Sequence, residues 1–250
     1  RTEHYVYGKL NTPTPGPVSG GLLLMGGGDR NIDSMKWFFA KSGNGHIVVL
    51  SASYGKEIGE EFFNDVGGIQ SVEIFVMHAR SQSDDRKILD RLRKADGIFI
   101  AGGDQSRYVR YWRGTQIAAI LDAHVAAGKP LSGTSAGLAM LGEKLYGAMD
   151  DGSLKSPEAL ADPMGPANTI EGDFLNIALL KGVVTDTHFK ERNRLGRLLA
   201  FVAKAQAQRG ADQPAMIGLG IDESAALAVE PDGTGKIYAT EKDGYGWVVD

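Results

Sequence analysis

A serine stands between two glycines in the segment LSGTSAGLAM, residues 131–140. The run GTSAG at 133–137 matches the G-x-S-x-G pattern of a nucleophile elbow, a sharp strand-to-helix turn that exposes the serine hydroxyl. At such a turn the amide of Ala136 opens the following helix and can donate to an oxyanion. The alternative is a tight turn without chemistry. We predict that Ser135 is a nucleophile.

A serine nucleophile needs a base that removes its proton. Of the five histidines, only His78 and His188 follow predicted strands at a position typical of a site. The segment around His188, DTHFKERNR, is the more polar of the two. We therefore favour His188 as the base and a structural role for His78.

The base in turn needs a carboxylate that orients it. The segment GLGIDESAA offers Asp222 and Glu223 at the end of an apolar strand. An acidic pair at a buried strand end is costly unless it is hydrogen-bonded. Two solvated turn residues are the alternative, and the sequence pattern does not choose between the two acids.

Three arginines, Arg192, Arg194 and Arg197, follow the candidate base. On a helix, Arg194 and Arg197 would share a face. The sequence pattern alone favours a solvated helix surface. The functional alternative is a clamp for carboxylates, which guanidinium groups bind in a bidentate manner.

Two glycine clusters also follow predicted strands. The run Gly26–Gly28 does not complete a dinucleotide fingerprint, because Asn31 stands where the last glycine of G-x-G-x-x-G belongs. The run GGDQ at 102–105 is not a phosphate loop, because no Gly-Lys-Ser/Thr follows it. We expect a glycine amide of this run to supply the second oxyanion donor beside Ser135.

The elements that position these residues alternate between strands and helices, which predicts an α/β fold with a doubly wound, mostly parallel sheet and late antiparallel edge strands. Residues 1–20 form a proline-rich extended lead-in, and residues 21–250 form a single domain. We predict strands at 21–25, 46–53, 71–78, 97–105, 129–133, 183–186, 216–222, 224–230 and 235–239, and helices at 31–41, 57–65, 85–94, 115–128 and 190–206.

Composition excludes several classes of protein. The chain has 250 residues, no cysteine and a net charge of −4. Thiol nucleophiles and disulfides are therefore excluded, and nucleic acid is not expected as a partner. No apolar run is long enough to span a membrane. The chemistry described above requires no metal and no cofactor.

Four segments together carry a family resemblance: FIAGGDQ, GTSAGLA, DTHFKERNRLGRL and GLGIDESAAL. Their order and spacing resemble those of the cyanophycinase family of serine peptidases from about residue 20 to residue 230. The resemblance implies a three-layer sandwich similar to that of class I glutamine amidotransferases. In those amidotransferases the elbow nucleophile is a cysteine, which this chain lacks.

The resemblance also implies roles for individual residues. Ser135 is expected to be the nucleophile, His188 the base and Glu223 the residue that orients it, with Gly103 and Ala136 as oxyanion donors. The implied substrate-binding residues are Gln105, Asp186, Arg192, Arg194 and Arg197. The arginines are expected to bind free carboxylates of the substrate, and Asp186 its guanidinium.

The implied activity is hydrolysis of cyanophycin, a poly-aspartate with arginine on its side-chain carboxyls, to β-Asp-Arg dipeptides by a homodimer. The stretch GGDQSRYVRYWRGTQ and the form TDTHF resemble the exported branch of the family. We therefore expect an extracellular or periplasmic enzyme after removal of a signal, with a cytoplasmic one as the alternative. The competing functions are an exopeptidase acting on short aspartyl or isoaspartyl peptides and a catalytically silent binding protein on the same scaffold.

Overall fold

The fold is built on an eight-stranded sheet, seen in a computed structural model that describes residues 1–250. In spatial order the sheet comprises β1 (Glu3–Gly8), β4 (Ser71–Val76), β3 (His46–Ser51), β5 (Gly97–Ile100), β6 (Pro130–Thr134), β2 (Gly21–Met25), β11 (Ala225–Val229) and β12 (Gly235–Ala239). The five central strands, β4 to β2, are parallel, and the outer strands are antiparallel. The predicted α/β fold is confirmed.

Alternate residues of the central strands enter two separate cores. In β3, Val48 and Leu50 belong to one core, and Ile47 and Val49 to the other. The strands are therefore largely apolar, with few polar residues such as Glu73 and Ser132, as expected for a parallel sheet covered on both faces. The two cores, with the sheet between them, account for the three layers.

The α-helices pack against the two faces of the main sheet and against a smaller sheet described below. They are α1 (Ile32–Lys41), α2 (Lys56–Glu60), α3 (Arg86–Lys94), α4 (Gln105–Trp112), α5 (Gln116–Ala126), α6 (Ala136–Ala139), α7 (Ser156–Ala161) and α8 (Leu195–Arg209). Side chains of α1 pack in one core, and those of α3, α4 and α5 pack in the other. No helix combines the length and apolar character that a membrane span requires.

The amino-terminal segment differs from the simple lead-in that the sequence predicts. Residues 3–8 form β1, which pairs with β4 along its whole length and makes one edge of the main sheet. His4 stacks on Phe75 and its ring contacts the buried Glu73. These contacts attach the start of the chain to the domain.

Three late strands form a small sheet outside the main sheet. β9 (Val183–Asp186) is parallel to β10 (Ile217–Ile221), which pairs in turn with β13 (Gly246–Val249). A separate core packs α8 against this small sheet. A further two-stranded ribbon joins β7 (Leu145–Tyr146) to β8 (Ile170–Glu171).

Candidate active site

The turn at Ser135 joins β6 directly to α6. Ser135 has a φ of 53°, in the left-handed region that non-glycine residues rarely adopt. The two glycines of the motif permit this sharp bend, because a side chain at Gly133 would overlap the carbonyl of Gly137, and one at Gly137 the carbonyl of Ile100. The predicted elbow geometry is therefore present, and it lies at the carboxyl edge of the parallel sheet.

The imidazole of His188 connects Ser135 to Glu223. Its Nε2 lies 2.8 Å from Oγ of Ser135, and its Nδ1 lies 2.7 Å from Oε1 of Glu223. A carboxylate only accepts hydrogen bonds, so Nδ1 carries the proton and Nε2 is free to accept the serine proton. These are the contacts that a serine nucleophile, its base and an orienting carboxylate require.

The protonation state of His188 follows from its surroundings. Burial lowers the pKa of His188 below its ordinary value of 6.5, the hydrogen bond to Glu223 raises it in part, and Arg192 and Arg194 lower it further. The imidazole is therefore neutral at neutral pH. In that state it can act as a base.

The sequence pattern did not choose between Asp222 and Glu223, and these two adjacent acids occupy different environments in the structure. Asp222 is completely buried, and its carboxylate accepts the backbone N–H groups of Lys190 and Tyr245 and the indole N–H of Trp247. Asp222 therefore ties the loop after His188 to the carboxyl-terminal strand. Only Glu223 reaches the imidazole.

The glycine run after β2 lies against the same imidazole. Gly27 has a φ of 102°, and a side chain there would overlap the His188 ring. The backbone N–H of His188 donates to the carbonyl of Gly26, and Asn31 caps α1 by accepting the N–H of Ser34. The sequence pattern marked this strand end as a place for functional groups but did not reveal that Gly27 makes room for the base.

Gly102 and Gly103 lie on the other side of Ser135. A Cβ atom at Gly102 would be 3.3 Å from Cβ of Ser135 and 3.1 Å from the hydroxyl oxygen of Tyr54. Ala136 is the first residue of α6, so its amide has no intrahelical acceptor. The structure thus brings both expected oxyanion donors, Gly103 and Ala136, to the rim of one cavity.

That cavity has a volume of about 410 Å³ and is mainly polar. Of the residues singled out in the sequence, it is lined by Gly103, Gln105, Ser135, Ala136, His188, Arg192, Arg194 and Arg197. The cavity is also lined by three residues for which the sequence predicted no role, Asp104, Asp151 and Ser153. Asp151 belongs to the irregular segment before α7, and no motif marks it.

Asp186 has different surroundings from those expected of a substrate-binding acid. Its carboxylate is buried and bidentate with Arg197, through Nε at 2.8 Å and Nη2 at 2.6 Å. Arg194 lies 3.7 Å from the same carboxylate. Asp186 is not among the cavity-lining residues. This geometry does not fit the expected role of Asp186 as the partner of a substrate guanidinium, because Arg197 already occupies both carboxylate oxygens.

The arginine cluster is not a solvated helix face either. Arg192 lies in the turn before α8, Arg194 is the residue preceding its first turn, and only Arg197 is helical. Arg194 and Arg197 are buried. Burial and the neighbouring Arg197 lower the pKa of Arg194 to about 10, which Asp186 partly offsets. Two guanidinium groups near one carboxylate leave an excess of positive charge beside the cavity.

His78 lies away from this cluster. Its Nε2 contacts the carboxylate of Glu3 at 2.7 Å on the exposed edge of the sheet. The structure therefore supports the choice of His188 as the histidine close to the serine.

Comparison with known proteins decides the family. The model of Peptidase family S51 matches residues 22–237. The chain belongs to peptidase family S51. The predicted class of enzyme, a serine peptidase, is confirmed, as is the resemblance to cyanophycinases.

Relatives of this S51 peptidase include two named cyanophycinases. One, from Trichormus variabilis, is 27% identical over 235 residues, which are 90% of this chain and 72% of the relative. The other, from Synechococcus elongatus, is 33% identical over 177 residues, which are 70% of this chain and 48% of the relative. The chain thus spans about half to three quarters of their length.

Solved structures share the fold at lower identity. A peptidase from an acI-B1 Actinobacterium has a TM-score of 0.62 at 15% identity, with 92% of this chain and 94% of that chain covered. A putative peptidase E from Listeria monocytogenes has a TM-score of 0.58 at 14% identity, with 90% and 100% covered. Both share the fold described above.

Proposed function

We propose that this S51 peptidase hydrolyses the backbone of cyanophycin and releases β-Asp-Arg dipeptides through an acyl-enzyme on Ser135. The observation that carries the proposal is the continuous chain of contacts from Ser135 through His188 to Glu223 at the rim of an arginine-lined cavity. The cyanophycinases among its relatives supply the substrate class.

The reaction begins when Oγ of Ser135 attacks the scissile carbonyl and Nε2 of His188 takes the serine proton. Glu223 holds the imidazole in the required tautomer and stabilises the imidazolium. The amides of Gly103 and Ala136 donate to the oxyanion, a contribution of about 3 kcal/mol for each such donor in a well-formed site. His188 then protonates the leaving amine, and water, activated by the same imidazole, releases the acyl group.

Charge in the cavity fits the proposed substrate. A β-Asp-Arg unit carries a free carboxylate and a guanidinium. Arg192 and Arg194 bind the carboxylate, and Arg197, held by Asp186, forms the wall behind them. Because Asp186 is occupied, the acids available for the substrate guanidinium are Asp151 and the second carboxylate oxygen of Asp104, whose Oδ1 caps α4 by accepting from Ser106. Gln105 lines the same cavity and can bind a substrate amide.

The competing function is an exopeptidase acting on short aspartyl peptides, which the structural neighbour named as a putative peptidase E favours. Incubation of the enzyme with insoluble cyanophycin and, separately, with short α-aspartyl and isoaspartyl peptides distinguishes the two. We expect soluble β-Asp-Arg from the polymer and little cleavage of the short peptides. Cleavage of the short peptides alone would refute the cyanophycinase proposal. The homodimer and the exported location expected from the sequence stay predictions.

A further inference from the structure

A second cavity adjoins the one that contains Ser135. It has a volume of about 570 Å³ and shares Ser153, Arg192 and Arg194 with the first. Because these three residues line both cavities, the two lie next to each other along one arginine wall, and we call them together the trough. Ser135 and His188 line only the first cavity, so the second lies on the side away from the attacked bond.

Each cavity presents charges of both signs. The first combines Arg192 and Arg194 with Asp104 and Asp151. The second adds Lys155 and Glu191 to the shared arginines. Lys155 is exposed and forms no ion pair within the protein. Its ammonium group is therefore free to bind an anion from outside.

The trough matches a repeating zwitterion. Every β-Asp-Arg unit has one carboxylate and one guanidinium, and consecutive residues of an extended backbone are only about 3.5 Å apart. Neighbouring units can therefore reach neighbouring cavities. An uncharged peptide would leave the ammonium group of Lys155 without a partner.

We propose that the second cavity binds a further β-Asp-Arg unit, next along the chain to the unit held in the first cavity, with Lys155 binding its carboxylate. This inference rests on the proposed function. One unit lies beyond the attacked bond, one in the first cavity and one in the second. Three units are thus the shortest substrate that can be cleaved while it occupies both cavities.

The test measures kcat/KM for defined oligomers of two and three β-Asp-Arg units. We expect the wild type to prefer the three-unit oligomer, mainly through a lower KM. Lys155→Ala should reduce the ratio of kcat/KM for the three-unit oligomer to kcat/KM for the two-unit oligomer about tenfold. This is the scale of one partly solvated charge-assisted contact. Lys155→Glu should reduce the ratio further, because it reverses the charge.

Lys181→Ala is the matched control. Lys181 is also exposed but precedes β9 at its amino end, opposite the site. This variant should keep the wild-type ratio. Equal kcat/KM for both oligomers in the wild type, or an unchanged ratio in Lys155→Ala, would overturn the second cavity as a binding site while leaving the proposed function intact. Failure of the wild type to cleave any cyanophycin fragment would refute the proposed function itself and this inference with it.

Discussion

Nε2 of His188 lies 2.8 Å from Oγ of Ser135, and both residues have left-handed backbones, with φ of 45° and 53°. Such conformations cost roughly 1–3 kcal/mol each and persist only where the surroundings impose them. Here the surroundings are glycines: Gly133 and Gly137 around the serine, and Gly27 against the imidazole. The contact between the two side chains is thus fixed by the backbone.

The pH dependence of activity should report the surroundings of His188. The base must be neutral, and burial lowers its pKa below 6.5, so kcat/KM should rise with pH to a plateau through a midpoint below that value. Glu223→Gln should shift the midpoint further down, because the hydrogen bond to Glu223 raises the pKa. A midpoint at or above the ordinary value of histidine would contradict the assignment of His188 as the base.

Glu223→Gln should also lower kcat. The amide cannot stabilise the imidazolium, and loss of the orienting acid costs about 10⁴-fold in kcat in Ser-His-Asp triads. Glu223 is 37% exposed, so we expect a smaller loss, about 10³-fold or less. The control is Glu230→Gln, since Glu230 pairs with Lys41 at the opposite end of β11. Equal kcat values for the two variants would argue against the role of Glu223.

Gly27→Ala should displace the imidazole. The new methyl group would overlap the His188 ring, and a shift of about 1 Å in a reacting group can cost 100-fold in kcat/KM. Gly68→Ala is the control, since Gly68 has a comparable φ of 85° with nothing within 4 Å of its added methyl. Both variants carry the same backbone penalty. If their activities fell equally, the effect would be one of stability and not of imidazole position.

Asp186→Asn should destabilise the protein. The substitution leaves Arg194 and Arg197 buried without their carboxylate, and breaking a buried ion pair costs about 3–5 kcal/mol. Asp90→Asn removes an exposed pair with Arg93 and should cost less than about 1 kcal/mol. Urea denaturation measures both. A stable Asp186→Asn variant with only a raised KM would instead indicate a carboxylate that binds substrate.

The central strands of the main sheet could be predicted because they are buried on both faces. The observed bounds of β2, β9 and β12 are those predicted. For the other predicted strands, the observed last residue differs from the predicted one by one to five positions. The amphipathic helix α4 was missed because GGDQSRYVRYW is largely polar, although Tyr108 and Trp112 are fully buried. β1 was missed because its burial depends on β4, about 65 residues away.

The residue pattern could predict that Ser135, His188 and Glu223 are neighbours, because each follows the carboxyl end of a predicted strand, where functional groups gather in α/β folds. The residue pattern alone could not choose between Asp222 and Glu223, although the family resemblance did. The choice depends on the N–H groups of Tyr245 and Trp247, which donate to the buried Asp222 carboxylate. The orientation of the Asp186 carboxylate likewise depends on its contact with Arg197 in α8. Such side-chain directions arise from long-range contacts that no local pattern contains.

The most direct test of the account is covalent labelling of the enzyme with a serine-directed phosphonate, followed by mass spectrometry of its peptides. We predict a single adduct, located on Ser135, that is strongly reduced in His188→Ala and absent in Ser135→Ala. An unlabelled wild type, or an adduct on another serine that persists in Ser135→Ala, would contradict the claim that Ser135 is the activated nucleophile.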